Sequence, residues 1–285
     1  MIIYDPKNWL RILLDFPRSP VFRTLFLDVI AAGVWAGLVV WIETDVVRVA
    51  VPLGPSFLSI LGIILGLLLV FRTNTSYDRW WEGRRLWGQL VNISRGLAHQ
   101  LDALLPAGHA SRAVWADQLE RFPVALAEHL RVPRGVVRPH EPNAVLQQMT
   151  RQMHRQVAAG ELPRETIVSL TPVLLAFDDV TGACERIRNT PIPFSYSSYV
   201  KQFVLLYALI MPFGLVREFG YGTVIACMFT FFATMGLELL ANEIEEPFGT
   251  DRNDLPLEGI SERIAMDTRH LLLGGAMETG PVPEG

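Results

Sequence analysis

The sequence is poor in charge, in cysteine and in recognisable reaction motifs. Charged residues make up 19% of its 285 positions, against about 25% in an ordinary soluble domain. The two cysteines, Cys184 and Cys227, form no CxxC pair, which excludes a disulfide framework and leaves buried thiols as their reading. There is no HExxH, Walker loop, GxSxG or GxGxxG, and His99, His109, His129, His140, His154 and His270 are scattered. No enzyme and no cofactor is therefore expected. Asp267 and His270, spaced i, i+3, are the one pair noted for metal or acid–base chemistry. A net charge of −4 without a basic tail argues against a nucleic-acid partner. The opening "MIIYDPKNWLRILLDFPRSP" mixes charges and prolines where the apolar core of a cleavable signal would sit.

Apolar residues are abundant instead. Half the chain is hydrophobic, and mean hydropathy is +0.28. Four segments are apolar enough to cross a bilayer, roughly 22–42, 49–71, 199–216 and 219–237. The second carries no charge from Val49 to Phe71, and the fourth, "FGYGTVIACMFTFFATMGL", is nearly as clean. The first has Arg23 and Asp28 in its early turns and the third has Lys201. Lys7, Arg11, Arg18 and Arg23 precede the first span, and Arg72, Arg79, Arg84, Arg85 and Arg95 follow the second. Arg252, Arg263 and Arg269 come after the fourth. By the positive-inside rule both termini and segment 72–198 are cytoplasmic, in a multi-pass protein of the cell's inner membrane. The fold class expected is all-α, with four transmembrane helices and a cytoplasmic helical body. Segment 1–21 then lies inside, as does 238–272, and 273–285 reads as a disordered tail.

Further helical periodicity runs through Ala113–Leu130, Asn143–Ala159 and Pro163–Arg188, with Pro142-Asn143 as a cap for the middle one. The second span can continue as helix beyond Phe71, with a break and a fresh N-cap at Thr73–Ser76. Beyond it stands a block of arginine and tryptophan, "FRTNTSYDRWWEGRRLWG", in which Glu82 and Arg85 are spaced for an ion pair. Two readings stay open for this block: an anchor at the membrane interface, or a packed junction in which arginine stacks on indole and pairs with carboxylates. Within the second span, Gly62 and Gly66 form a GxxxG pair that permits close helix approach. Ile63, Leu67 and Phe71 form an apolar stripe, suited to helix packing or, in a ring of identical helices, to collars that gate a pore by dewetting.

"FRTNTSYDRWWEGRRLWGQL" strongly resembles the bacterial branch of the bestrophin family, which carries an arginine–tryptophan–tryptophan motif after its second span, here Arg79, Trp80 and Trp81. "YDPKNWLRILLDFPRSP" is similar to that branch's N-terminus, and "NEIEEPFGTDRNDLPLE" to its proline–phenylalanine–glycine segment and acidic cluster. The resemblance covers nearly the whole chain. It implies a homopentameric channel in the lipid bilayer, passing small monovalent ions through one central pore. It places the neck on Ile63, Leu67 and Phe71, and a second constriction in "ERIRNTPIP", at Ile187, with Thr190 and Ile192 as alternatives. The Arg/Trp block would join the pore helix to the cytoplasmic body. In calcium-gated members an acidic run follows the proline–phenylalanine–glycine segment; here only Asp251 and Asp254 remain, with Arg252 between them. Calcium favours six to eight oxygens, so no metal site and no calcium requirement is expected.

The apolar neck names no ion. Glu238, Glu243, Glu245, Glu246, Asp251, Asp254 and Glu258 would enrich cations if they faced the path; equally they could be solvated or paired with arginines. Animal relatives are chloride channels, whereas the bacterial branch includes cation-conducting members. The expectation leans to monovalent cations, sodium among them, with chloride as the alternative. A secondary transporter would favour repeats, broken helices and mid-membrane charge; apart from Asp28 the charges sit at span ends. A membrane-bound enzyme would have to rest on Asp267 and His270.

Overall fold

The computed structural model describes residues 20–47, 53–136 and 138–274. The N-terminal segment with Lys7, Arg11 and Arg18, the stretch from Arg48 to Pro52 and the tail beyond Gly274 lie outside the described residues. Among the described residues the regular structure is helical only. The helices are α1 (Pro20–Trp41), α2 (Pro55–Leu104), α3 (Ala110–Arg131), α4 (Glu141–Ala158), α5 (Thr166–Asn189), α6 (Phe194–Phe219), α7 (Gly222–Ile244) and α8 (Leu257–Leu273). The chain divides into two compact units, at Asp78/Arg79, Pro191/Ile192 and Glu245/Glu246.

The first unit holds α1, the N-terminal part of α2, α6 and α7. α1 packs on α7 and α6, and α6 on α7. Leu65 and Leu69 of α2 join Val200 and Val204 of α6 in one core, and Ala36, Met211 and Cys227 form another. Close packing rests on small residues: a Cβ on Gly33 would sit 2.7 Å from the Met228 sulfur, and one on Gly214 would collide with Leu58. Much of the remaining helix surface is apolar and outward, including Leu27, Val34, Ile60, Leu205, Ile225 and Phe229. Such a large apolar exterior suits lipid, and monomeric soluble proteins rarely carry one. A five-residue π-helical turn, Ile42–Val46, prolongs α1. There Asp45 Oδ2 accepts from the Tyr221 hydroxyl at 2.5 Å and from Thr44 Oγ1 at 2.9 Å.

Two local expectations are corrected. No break occurs at Thr73–Ser76, because α2 is continuous from Pro55 to Leu104. The hydroxyls that were to cap a new helix bond back to their own: Thr73 Oγ1 donates to Leu69 O and Thr75 Oγ1 to Phe71 O, each at 2.8 Å. The turn between the last two apolar helices also falls later than Arg217-Glu218, which belong to the final turns of α6. It forms at Gly220, whose φ of +50° is a conformation that residues with a Cβ rarely adopt.

The second unit contains the rest of α2 with α3, α4, α5 and α8. α3 packs against α8, α4 and α5, and α4 against α5. Trp87, Leu90, Leu97, Leu101, Trp115, Phe122 and Phe177 lie at the centre of one large core. Phe122 and Phe177 meet edge to face with centroids 4.9 Å apart. α8, to which the sequence reading assigned no element, buries Leu257, Ser261, Ile264, Thr268 and Leu272 along one stripe. α4 is capped by His140, whose Nδ1 accepts from Asn143 N at 3.2 Å, and Pro142 falls in its first turn. Among the described residues, five helices are long and apolar enough to cross a membrane: α1, α2, α5, α6 and α7.

A buried charge group locks the first unit. Arg72 is fully buried and donates to Glu245 Oε2 at 2.8 Å, Ser76 Oγ at 3.1 Å and Asn242 Oδ1 at 3.4 Å. Glu238, also fully buried, lies 3.9 Å from Arg72 and 3.8 Å from Lys201. Removing one member of a buried pair strands its partner, so Arg72→Ala is expected to destabilise the purified protein by about 3–5 kcal/mol. Glu238→Gln, which removes charge but keeps the shape, should cost far less. Thermal unfolding of the two variants in detergent checks the order.

Candidate functional site

The candidate residues cluster on α2 and at the ends of the helices of the second unit. Along α2 the buried positions include Leu58, Leu65, Leu69, Arg72 and Ser76 in the first unit and Gly83, Trp87, Leu90, Ser94, Leu97 and Leu101 in the second. Within each unit their spacing alternates between three and four, or sums to seven, as expected of one buried helix stripe. Ile63, Leu67 and Phe71 stand on another face and are 72%, 56% and 55% exposed. Four-residue spacing turns the helix by about 40° beyond a full circle, so the three form one gently drifting apolar ridge. Beside it, a Cβ on Gly62 would approach the Tyr207 hydroxyl to 3.1 Å, whereas Gly66 has open space.

The Arg/Trp block serves as a hydrogen-bonded junction within the second unit. Arg79 donates through Nη1 to Thr190 O at 2.6 Å and through Nη2 to Ile187 O at 2.7 Å. These are carbonyls of the last turn and C-cap of α5, groups that a helix cannot satisfy internally and that carry partial negative charge. Trp80 donates its indole N–H to Asn253 O at 2.9 Å and stacks on Trp81 at 6.5 Å. Gly83 is the contact point for the proline–phenylalanine–glycine segment, since a Cβ there would lie 3.1–3.2 Å from Phe248 and Pro247. Glu82 pairs with Arg186 at 2.7 Å rather than with Arg85, because the C-terminal turn of α5 offers it a better-placed guanidinium. Trp87, fully buried, belongs to the core.

This arrangement bears on the second constriction. The Ile187 side chain is 3% exposed and packs in the core, while its carbonyl is held by Arg79. Within one chain that side chain is turned into the core and not to solvent. Of its alternatives, Thr190 is exposed and Ile192 partly so. Ile192 N donates to Glu245 Oε1 at 2.8 Å.

The acidic positions are mostly committed. Asp254 is buried in its own turn, where its Oδ2 accepts from Asp251 N at 2.7 Å, and a Cβ on Gly249 would come within 2.6 Å of that oxygen. Asp251 is exposed. Glu246 pairs with Arg134 at 2.5 Å. Glu258 pairs with Arg131, whose hydrogen bond holds the carboxyl below the usual range. Asp267 Oδ2 accepts from Arg95 Nε and Nη2 at 2.7 and 2.6 Å, and this engagement leaves the Asp267/His270 pair little chemical freedom. Two of the six scattered histidines do converge, at Glu185: His129 and His140 each place Nε2 2.7 Å from Glu185 Oε1. Sequence spacing gave no signal for this, since the three residues lie on separate elements.

Residues 1–270 match the sequence profile of the "Bacterial/Fungal Bestrophin protein" family. The voltage-dependent anion channel-forming protein of Nostoc sp. is 34% identical over 277 residues, covering 89% of this chain and 88% of its own. Its namesake in Synechocystis sp. is 30% identical over 288 residues, with 94% and 93% covered. The bacterial bestrophin homologue from Klebsiella pneumoniae superposes with a TM-score of 0.78 at 27% identity, covering 88% of this chain and 99% of that structure.

Arg79→Ala removes both carbonyl bonds from the end of α5 and is expected to cost about 1.5–3 kcal/mol, the range for hydrogen bonds to a charged group. Arg79→Lys keeps the charge but not the two-pronged geometry and should fall between. Hydrogen exchange at the amides of residues 187–190, alongside the melting temperature, checks this.

Proposed function

The chain belongs to the bacterial and fungal bestrophin family and is an ion channel of that kind; on that footing we propose a homopentamer in the inner membrane, with α2 lining a single central pore. Four helices cross the bilayer: α1, α6, α7 and the N-terminal part of α2. α5 stays outside despite its apolar content, because its buried stripe of Leu170, Leu174, Phe177, Val180 and Cys184 is part of the second unit's core. Both termini face the cytoplasm. Ile63, Leu67 and Phe71 form the neck, where stacked apolar rings admit ions only when wetted. Thr190 or Ile192 borders the second constriction. Passage is passive and independent of calcium.

The preferred ion is an anion, chloride being the test case. The observation that carries this choice is the fate of the inner carboxylates, whose local enrichment of cations was the ground for favouring sodium. Glu238 is buried beside Arg72 and Lys201, Glu245 is bound to Arg72, Glu246 to Arg134 and Glu258 to Arg131, and Asp254 is folded into its own turn. That leaves Glu243 and Asp251 of the seven. An apolar neck also favours the ion that sheds water more easily, and chloride is less strongly hydrated than sodium. The names of the Nostoc and Synechocystis relatives agree with this direction.

Reversal potential in planar bilayers under an NaCl gradient tests the reading. Wild type is expected to reverse near the chloride potential, and Leu67→Ala to raise conductance without moving the reversal. Reversal near the sodium potential would restore the cation reading of the same architecture, while saturable flux without unitary steps would replace the channel by a carrier.

A further inference from the structure

His129, His140 and Glu185 meet within the second unit. His129 lies in the last turn of α3, His140 caps α4, and Glu185 stands on α5. Both Nε2 atoms point at the same carboxylate oxygen, Glu185 Oε1, at 2.7 Å. The two rings lie face to face, tilted by 34°, with centroids 4.3 Å apart. The three candidate donor atoms all lie within 4.8 Å of one another. Each side chain is partly exposed, so an ion can reach the group from solvent.

We propose that His129 Nε2, His140 Nε2 and Glu185 Oε1 bind one divalent transition-metal ion of the zinc class, with water completing the coordination. Two imidazoles and a carboxylate form a donor set that suits a borderline-soft ion better than calcium or magnesium. Zinc takes histidine nitrogen at about 2.0–2.1 Å and carboxylate oxygen at about 2.0–2.2 Å. Tetrahedral ligands at that range stand about 3.3 Å apart, so the two 2.7 Å contacts must open by about 0.6 Å. Side-chain rotation of Glu185, which is not fully packed, can supply that movement.

The protons balance without a co-reactant. In the tautomer that carries its proton on Nε2, a ring donates Nε2–H to the carboxylate. On metal binding the Nε2 lone pair becomes the ligand and the ring proton resides on Nδ1. For His140 that atom currently accepts from Asn143 N, so the capping bond of α4 is given up and affinity is reduced accordingly. The ion would cross-link α3, the start of α4 and α5. Glu185 lies two residues before Ile187, the residue whose carbonyl Arg79 holds. The site does not depend on the channel reading.

The test uses the full chain purified in detergent and stripped with chelator, then titrated with ZnCl2 against a chromophoric competitor. One zinc per chain is expected. Affinity should fall at least about tenfold in His129→Asn, in His140→Asn and in Glu185→Gln, since even changes behind a ligand cost that much. His154→Asn, at an exposed position on α4, should bind as wild type does. Glu185→Gln preserves size and an acceptor oxygen, so it answers the question even if a histidine variant misfolds. Cobalt substituted at the site should show the strong visible absorption of four-coordination. No zinc bound, or binding unchanged in the three variants and reduced by His154→Asn, would overturn the proposal, as would only the weak absorption of six-coordinate cobalt.

Discussion

The second unit depends on one repeated interaction, an arginine fork closing the carbonyl end of a helix. Arg79 binds the end of α5 through Ile187 O and Thr190 O. Arg112 gathers Asp102 O and Leu105 O at the end of α2 together with Leu272 O of α8, and pairs with the Asp102 carboxylate. Arg188 reaches Val132 O just past α3, and Arg134 reaches Arg188 O. The final carbonyls of a helix have no partner within it and lie at the negative end of its dipole. A guanidinium supplies several donors in a fixed plane, where an ammonium offers a point charge. Short connections between helices then need few backbone partners of their own, and the Arg/Trp block is explained as structure: it fastens α2 to α5 and to the proline–phenylalanine–glycine turn.

In the first unit the constraint is different. Arg72 lies in the interior of α2 and is fully buried, so it is accommodated by collecting Glu245, Ser76 and Asn242, with Glu238 nearby. The acidic residues that looked like a cation funnel are therefore largely the counter-charges of arginines. Here the selectivity reading turns on burial, which a sequence does not display.

Much of the fold was legible because its signals are local. Helix periodicity marked α3, α4 and α5 to within a few residues, and the uncharged runs marked the apolar helices. The Arg79-Trp80-Trp81 and Pro247-Phe248-Gly249 motifs were legible through their resemblance to the bestrophin family. What failed depended on choices between partners. The Thr73 and Thr75 hydroxyls had a helix carbonyl available and did not cap. Glu82 chose Arg186 over Arg85. The convergence of His129, His140 and Glu185 needed three elements to be placed before it existed at all.

α2 presents its buried stripe and its exposed ridge on different faces, and the claim that the ridge faces a water-filled pore is the centre of the account. The direct measurement is thiol accessibility under recording. Both native cysteines are buried, so Leu67→Cys and Leu65→Cys can be exposed in turn to a charged, membrane-impermeant thiol reagent while single-channel current is followed. The account predicts a stepwise change of conductance for Leu67→Cys and none for Leu65→Cys, whose side chain packs in the core with Val200 and Val204. Modification at position 65 with position 67 inert would contradict it.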